Sequence, residues 1–201
     1  MRGRSPMEAP ISTRSQSVLA AVVLAALMPG GASAQSIDEK AQVCAGCHGE
    51  NGVPQLPGAP VIWGQQQGYL YLELRDYKSG ARQNDVMSPI AQSLERDDMA
   101  ALALYFSQKP WPDLQQPRAP ADVAARALKA ANSIVCTSCH QSNYQGDSTQ
   151  PRLAGQRKDY LQQTMLDFRS KKRGNNPGMT DLMLAISEQD IADCAAYLAG
   201  L

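Results

Sequence analysis

Cys44-Ala45-Gly46-Cys47-His48 and Cys136-Thr137-Ser138-Cys139-His140 place two copies of C-x-x-C-H in this 201-residue chain, 92 residues apart. No other feature constrains the fold as much. The pattern is that of covalent c-type haem attachment: on one helical turn two thiols reach the two vinyl groups of a single porphyrin, and the adjacent histidine brings its imidazole under the iron. Zinc competes for the same residue types, but two Cys and one His per motif leave a fourth ligand unnamed and the fixed order unexplained. A redox-active C-x-x-C belongs to a β-α-β context, and the sequence carries no such strands. Each motif is therefore expected to hold one haem c, through Cys44 and Cys47 in the first and Cys136 and Cys139 in the second, with His48 and His140 as proximal iron ligands.

These are the only two histidines, which excludes bis-His coordination within the chain and leaves methionine for the sixth position. Beyond residue 34 the candidates are Met87, Met99, Met165, Met179 and Met183. An internal repeat separates them. Shifted by 92 residues, His48 falls on His140, Met87 on Met179, Leu94 on Ile186, Asp98 on Asp190 and Tyr105 on Tyr197. Between these anchors the shift is 91, aligning Pro60 with Pro151, Gly64-Gln65 with Gly155-Gln156, Tyr69-Leu70 with Tyr160-Leu161, and Arg82 with Arg173. Histidine and methionine are 39 residues apart in both copies, so Met87 and Met179 are the expected distal ligands. Met99 and Met165 have no counterpart and read as core. Met183, four residues from Met179 and aligned with Ala91, is the competitor that packing on one helical face would explain.

The N-terminus is a separate matter. Arg2, Arg4 and Arg14 precede an apolar run from Val18 to Met28, and Ala32-Ser33-Ala34 supplies the small residues of a cleavage site. Residues 1–34 are expected to be a removed export signal, since eleven residues rise only about 16 Å against a hydrocarbon core near 30 Å. What remains has a net charge of −2, no later transmembrane anchor and a periplasmic destination. A balance so near zero also excludes a non-specific nucleic-acid binder. Aromatic residues are scarce at 5%, which suits cores filled by a large planar cofactor.

Periodicity gives helices at Ile37–His48, Gly68–Ser79 and Arg96–Gln108, repeated at Val123–His140, Lys158–Ser170 and Glu188–Leu201. The expected fold is all-α: a first haem-binding domain over 35–109, a proline-rich linker over 110–120 and a second haem-binding domain over 121–201. Long loops between each haem motif and its middle helix suit small domains that wrap a cofactor.

With its C-x-x-C-H-Gly49 start, Pro60-Val61-Ile62-Trp63-Gly64-Gln65, Pro151-Arg152-Leu153-Ala154-Gly155-Gln156 and terminal Tyr105 and Tyr197, the chain resembles diheme class I cytochromes c of the cytochrome c4 type. The resemblance implies two all-helical domains related by approximate two-fold symmetry, with haem propionates near their interface. It also implies that the Pro60 and Pro151 carbonyls accept from the proximal histidines. Two departures stand out: Trp63 replaces a small residue, and Gln141 follows the second motif where glycine is usual. Tyr69, Tyr160, Arg82 and Arg173 recur in both copies and read either as propionate contacts or as packing with a wet polar end. Cys194, at the position of Leu102, reads as a small buried hydrophobe.

Three function classes follow. The first is an electron carrier whose closed His/Met coordination leaves no position for substrate. By resemblance, its donor would be a quinol-oxidising complex and its acceptor a terminal oxidase. The second is a diheme electron-accepting subunit of an exported dehydrogenase, for example a flavin enzyme. The third, a diheme peroxidase, needs a displaceable ligand, against which two matched methionines argue. Residues 35–117 carry a net charge of −4 and residues 118–201 a net of +2, much of it from Arg169-Ser170-Lys171-Lys172-Arg173, which suggests unlike docking faces.

Overall fold

Ser36 starts the first helix with a reciprocal cap: its hydroxyl accepts from Glu39 N at 3.3 Å, and the Glu39 carboxylate accepts from Ser36 N at 2.8 Å. Ser187 and Asp190 make the same box before the last helix. The computed structural model describes residues 36–201, together with Met1 and Gly3. The export signal expected over 1–34 lies outside the described residues.

The elements are α1 (Ile37–His48), α2 (Gln67–Ser79), α3 (Met87–Gln92), α4 (Arg96–Ser107), α5 (Ala121–Ser133), α6 (Thr137–His140), α7 (Lys158–Arg169), α8 (Pro177–Leu184) and α9 (Glu188–Ala199). Among the described residues there is no strand, only an isolated bridge between Asp147 and Gln150. None of these helices is long and apolar enough to cross a membrane.

Two differences from the sequence reading have local causes. The helix expected over Val123–His140 is two helices, α5 and α6. Between them β-branched Ile134 and Val135 interrupt the path, and Val135 takes a positive φ of 50° that no helix accommodates. The short helices α3 and α8 were not expected, because six and eight residues containing Pro and Gly carry little periodic signal. Their starts are fixed instead by Asn84 and Asn176, whose side-chain oxygens accept from Met87 N at 2.9 Å and Met179 N at 3.1 Å.

Each repeat packs about its own core. In the first, α1 crosses α4 through Ala41, Leu102 and Phe106. In the second, α5 lies on α9 across Ala127, Ala131 and Ala195, small residues that let the helix backbones approach closely, with Ile191 buried in the same core. Cys194 is buried there, its thiol 3.5 Å from the Ala127 carbonyl. All of this belongs to one compact unit, residues 35–201. The segment after Lys109 runs without helix to α5 and is stitched to the second repeat. Gln116 Nε2 donates to the carbonyls of Gln156 at 2.9 Å and Ala199 at 3.2 Å, while its Oε1 accepts from Lys158 N. Trp111 fits against Gly64 and Gly155, both at positive φ, where a Cβ would come within 3.0 Å of the Trp111 backbone and ring.

Candidate functional site

In each repeat the haem motif ends a helix, which delivers its histidine into the interior. His48 and His140 are buried, and each Nδ1 faces a proline carbonyl: His48 to Pro60 at 2.8 Å and His140 to Pro151 at 2.9 Å. A carbonyl only accepts, so Nδ1 carries the hydrogen and Nε2 keeps its lone pair. Burial pushes both imidazoles below the ordinary histidine range, opposed by the proline carbonyls, so at neutral pH they are uncharged donors to a metal. Burial also pushes the Cys44 thiol up to about 11.

One cavity of about 770 Å³ runs through both repeats. Cys44, Cys47 and His48 line it with Met87, and Cys136, Cys139 and His140 with Met179. Met87 and Met179 are half-buried at the starts of α3 and α8, while Met183 is buried in the second core although it also reaches the wall. The donor set suits a haem c: paired thiols beside a neutral imidazole, a thioether from another helix, and walls that are largely apolar. No group of three or more His, Cys, Asp or Glu suited to a bare metal ion occurs among the described residues.

Where the repeats meet, the cavity turns polar. Arg82 and Arg173, equivalent in the repeat, both reach Glu73. Arg82 Nη1 is 2.6 Å from Glu73 Oε2, and Arg173 Nη2 pairs with Glu73 Oε1. Each arginine also points a guanidinium at the tyrosine of the opposite repeat, Arg82 to Tyr160 and Arg173 to Tyr69, at 3.4 Å in both cases. Each stacks on an aromatic ring of its own repeat as well, Arg82 on Tyr77 and Arg173 on Phe168. Burial, reinforced by the Glu73 carboxylate, pushes the Tyr69 hydroxyl well above its ordinary range. Thus the four recurring Tyr and Arg residues converge on one junction, and all four line the cavity that also holds both sets of Cys, His and Met.

Five contributors were missed from the sequence. Asn84 and Asn176 stand three residues before the two methionines, a spacing visible in the repeat. Gln65 and Gln156 reach across to the opposite repeat, which no local pattern reports. Glu73 aligns with Thr164, so comparison of the copies hides it. The basic stretch also changes meaning: Arg173 is buried at the junction, and Arg169 donates to the carbonyls of Met183, Leu184 and Ile186 at the end of α8. Only Lys171 and Lys172 of its cations are left exposed.

The cytochrome c family matches residues 124–201. Cytochrome c4 of Azotobacter vinelandii is 32% identical over 180 residues, spanning 81% of this chain and 86% of that one. A thiosulfate dehydrogenase electron acceptor of Stutzerimonas stutzeri is 34% identical over 172 residues, 80% of each. Among solved structures, cytochrome c4 of Acidithiobacillus ferrooxidans superposes with a TM-score of 0.72 at 30% identity, covering 80% of this chain and 99% of that one. The family match covers the second haem motif alone, whereas the three relatives run across both, and with them come two tandem class I cytochrome c domains and two covalent haem c groups. On the extent of that match the chain belongs to the cytochrome c4 family of diheme electron-transfer proteins.

Proposed function

We propose that this protein is a periplasmic carrier of single electrons rather than an enzyme, with His48 and Met87 closing one iron and His140 and Met179 the other. One observation carries the reading: both repeats pair a neutral, carbonyl-anchored histidine with a methionine whose backbone amide is fixed by an asparagine, at the same spacing. Bound haem supplies a one-electron couple. The chain's part is to fill both axial positions, exclude water with apolar walls and hold the ligand set unchanged as an electron arrives or leaves. Domains over 35–109 and 121–201, joined by 110–120 after removal of 1–34, fit this role.

By family likeness the donor is a quinol-oxidising complex and the acceptor a terminal oxidase. A second reading, an electron-accepting subunit of an exported dehydrogenase, is favoured by the likeness to the Stutzerimonas stutzeri electron acceptor. Purification of the native protein separates the two, since a stoichiometric catalytic subunit belongs only to the second. Ligation is tested by the weak long-wavelength sulfur-to-iron band of the ferric protein. Met87→Ala and Met179→Ala should each remove about half of it, and Met183→Ala should leave it whole. The reverse result for Met179 and Met183 would reassign the second ligand.

A further inference from the structure

The peptide group joining Pro60 to Val61 is hydrogen-bonded at both ends, to different repeats. Its carbonyl accepts from His48 Nδ1, whereas its N–H donates to Gln156 Oε1 of the second repeat at 2.8 Å. Gln156 Nε2 then donates to the Val61 carbonyl at 2.9 Å. The second repeat does the same in reverse. The Pro151 carbonyl accepts from His140, Arg152 N donates to Gln65 Oε1 at 2.7 Å, and Gln65 Nε2 donates to the Arg152 carbonyl at 3.0 Å. Both glutamines are buried, with 3% of Gln65 and 2% of Gln156 exposed. Each amide is fixed in orientation, because each Oε1 also accepts from the next backbone N–H, Gln66 N at 2.9 Å or Arg157 N at 3.0 Å.

We propose that Gln156 tunes the reduction potential of the haem on Cys44 and Cys47, and Gln65 that of the haem on Cys136 and Cys139, each from the opposite domain through one peptide group. The inference rests on His48 and His140 being the proximal ligands. A peptide is a conjugated unit, so an acceptor drawing on its N–H enlarges the carbonyl dipole, and in a low-dielectric interior successive hydrogen bonds polarise one another. A stronger carbonyl acceptor pulls harder on the Nδ1 hydrogen, makes the imidazole a more basic ligand and favours oxidised iron. Gln156 and Gln65 are positioning residues here, and neither touches a ligand atom of the iron. Docking the two domains thereby sets both potentials, since neither glutamine can act without its partner domain in place.

The test is a redox titration of the full-length, haem-loaded protein followed by proton NMR, in which the two haems are resolved and assigned through contacts within their own domains. Gln156→Leu should favour reduction of the first haem by about threefold, about 28 mV at 59 mV per tenfold for one electron. The second haem should move much less, and Gln65→Leu should give the mirror result. The His48 Nδ1–H resonance should shift upfield in Gln156→Leu, reporting the weakened hydrogen bond directly. Gln156→Glu keeps an acceptor facing Val61 N–H and should lower the first potential, which keeps the idea testable should the leucine variants load poorly. Equal shifts of both haems in each variant, a larger shift in the glutamine's own domain, or unmoved potentials would overturn the inference. Absence of paramagnetically shifted imidazole ring signals from His48 and His140 in the unmodified oxidised protein would instead remove the histidine ligation beneath it.

Discussion

Gln141 ends α6 in the backbone conformation that Gly49 gives the end of α1: φ 67° and ψ 163° for the glutamine, φ 86° and ψ 138° for the glycine. This corner of the backbone map is open to glycine and costs other residues on the order of 1–3 kcal/mol. The first repeat meets the requirement without strain, and the second meets it with a side chain. Gln141→Gly should therefore stabilise the protein by about 1 kcal/mol, the relief of strain less the extra freedom of an unfolded glycine. Chemical denaturation followed by the Soret band would measure it. Gly49→Ala should fail to accumulate, since its Cβ would stand 2.0 Å from the Val53 carbonyl oxygen.

The Glu73 junction predicts a different signature. Glu73→Gln removes the negative charge shared by Arg82 and Arg173, and the loss of charge-assisted hydrogen bonds should cost about 2 kcal/mol of stability. Because the charge lies between the domains, both reduction potentials should rise together. That contrasts with the one-sided change expected at Gln156. A shift confined to one haem would place the carboxylate's influence within a single domain.

Arg126 joins α5 to α9 through Asp193, Nε to Oδ2 at 2.6 Å. The guanidinium, with help from Gln189, holds the Asp193 carboxyl below the usual carboxylate range. A carboxyl depressed in the folded state stabilises the protein above its unfolded pKa and loses that contribution as pH falls through the folded value. Thermal melts of Asp193→Asn should thus fall a few degrees below those of the parent at neutral pH. The gap should close under strongly acidic conditions. Since Arg126 is about half exposed, added salt should narrow it as well.

Lys171 and Lys172 carry the exposed remnant of the basic stretch. Replacing both with glutamine should slow association with one physiological partner, weaken its dependence on ionic strength and spare the other partner. Stopped-flow reduction and oxidation at several salt concentrations would show it. Equal slowing with both partners would mean that the two domains do not divide the docking between them.

Much of this was legible in the sequence, and the reasons differ from residue to residue. Cys44, Cys47, His48 and their counterparts declare themselves because covalent attachment demands fixed spacing. The repeat then isolates Met87 and Met179 from the other methionines. Helices with a buried face of three or more turns, such as α2, α4 and α7, carry enough periodicity to be placed within a residue or two. The start of α3 could have been found from Asn84-x-x-Met87 and that of α8 from Asn176-x-x-Met179, but only by reading caps rather than periodicity. The break at Val135 was hidden because Cys136 to His140 repeats a motif that ends an unbroken helix in the first copy. Contacts between copies were the least legible. Gln65 and Gln156 align perfectly with one another, yet alignment does not tell that each bonds to the other's repeat.

Glu73 bonds to two arginines that are the same residue in the two repeats, and their crossed pairing with Tyr160 and Tyr69 relates the halves by an approximate two-fold, so it stands close to that axis. A residue on such an axis serves both halves at once, and a second copy of it would occupy nearly the same place. If two identical single domains were to associate in this geometry, two carboxylates would be forced together and repel. A tandem chain escapes that condition, because its halves can differ where they meet, and the second repeat has Thr164 at the position equivalent to Glu73. The fused arrangement is thus more than a tether. It permits an interface that a symmetric pair of first domains would resist, and it makes the two halves complementary partners rather than interchangeable ones.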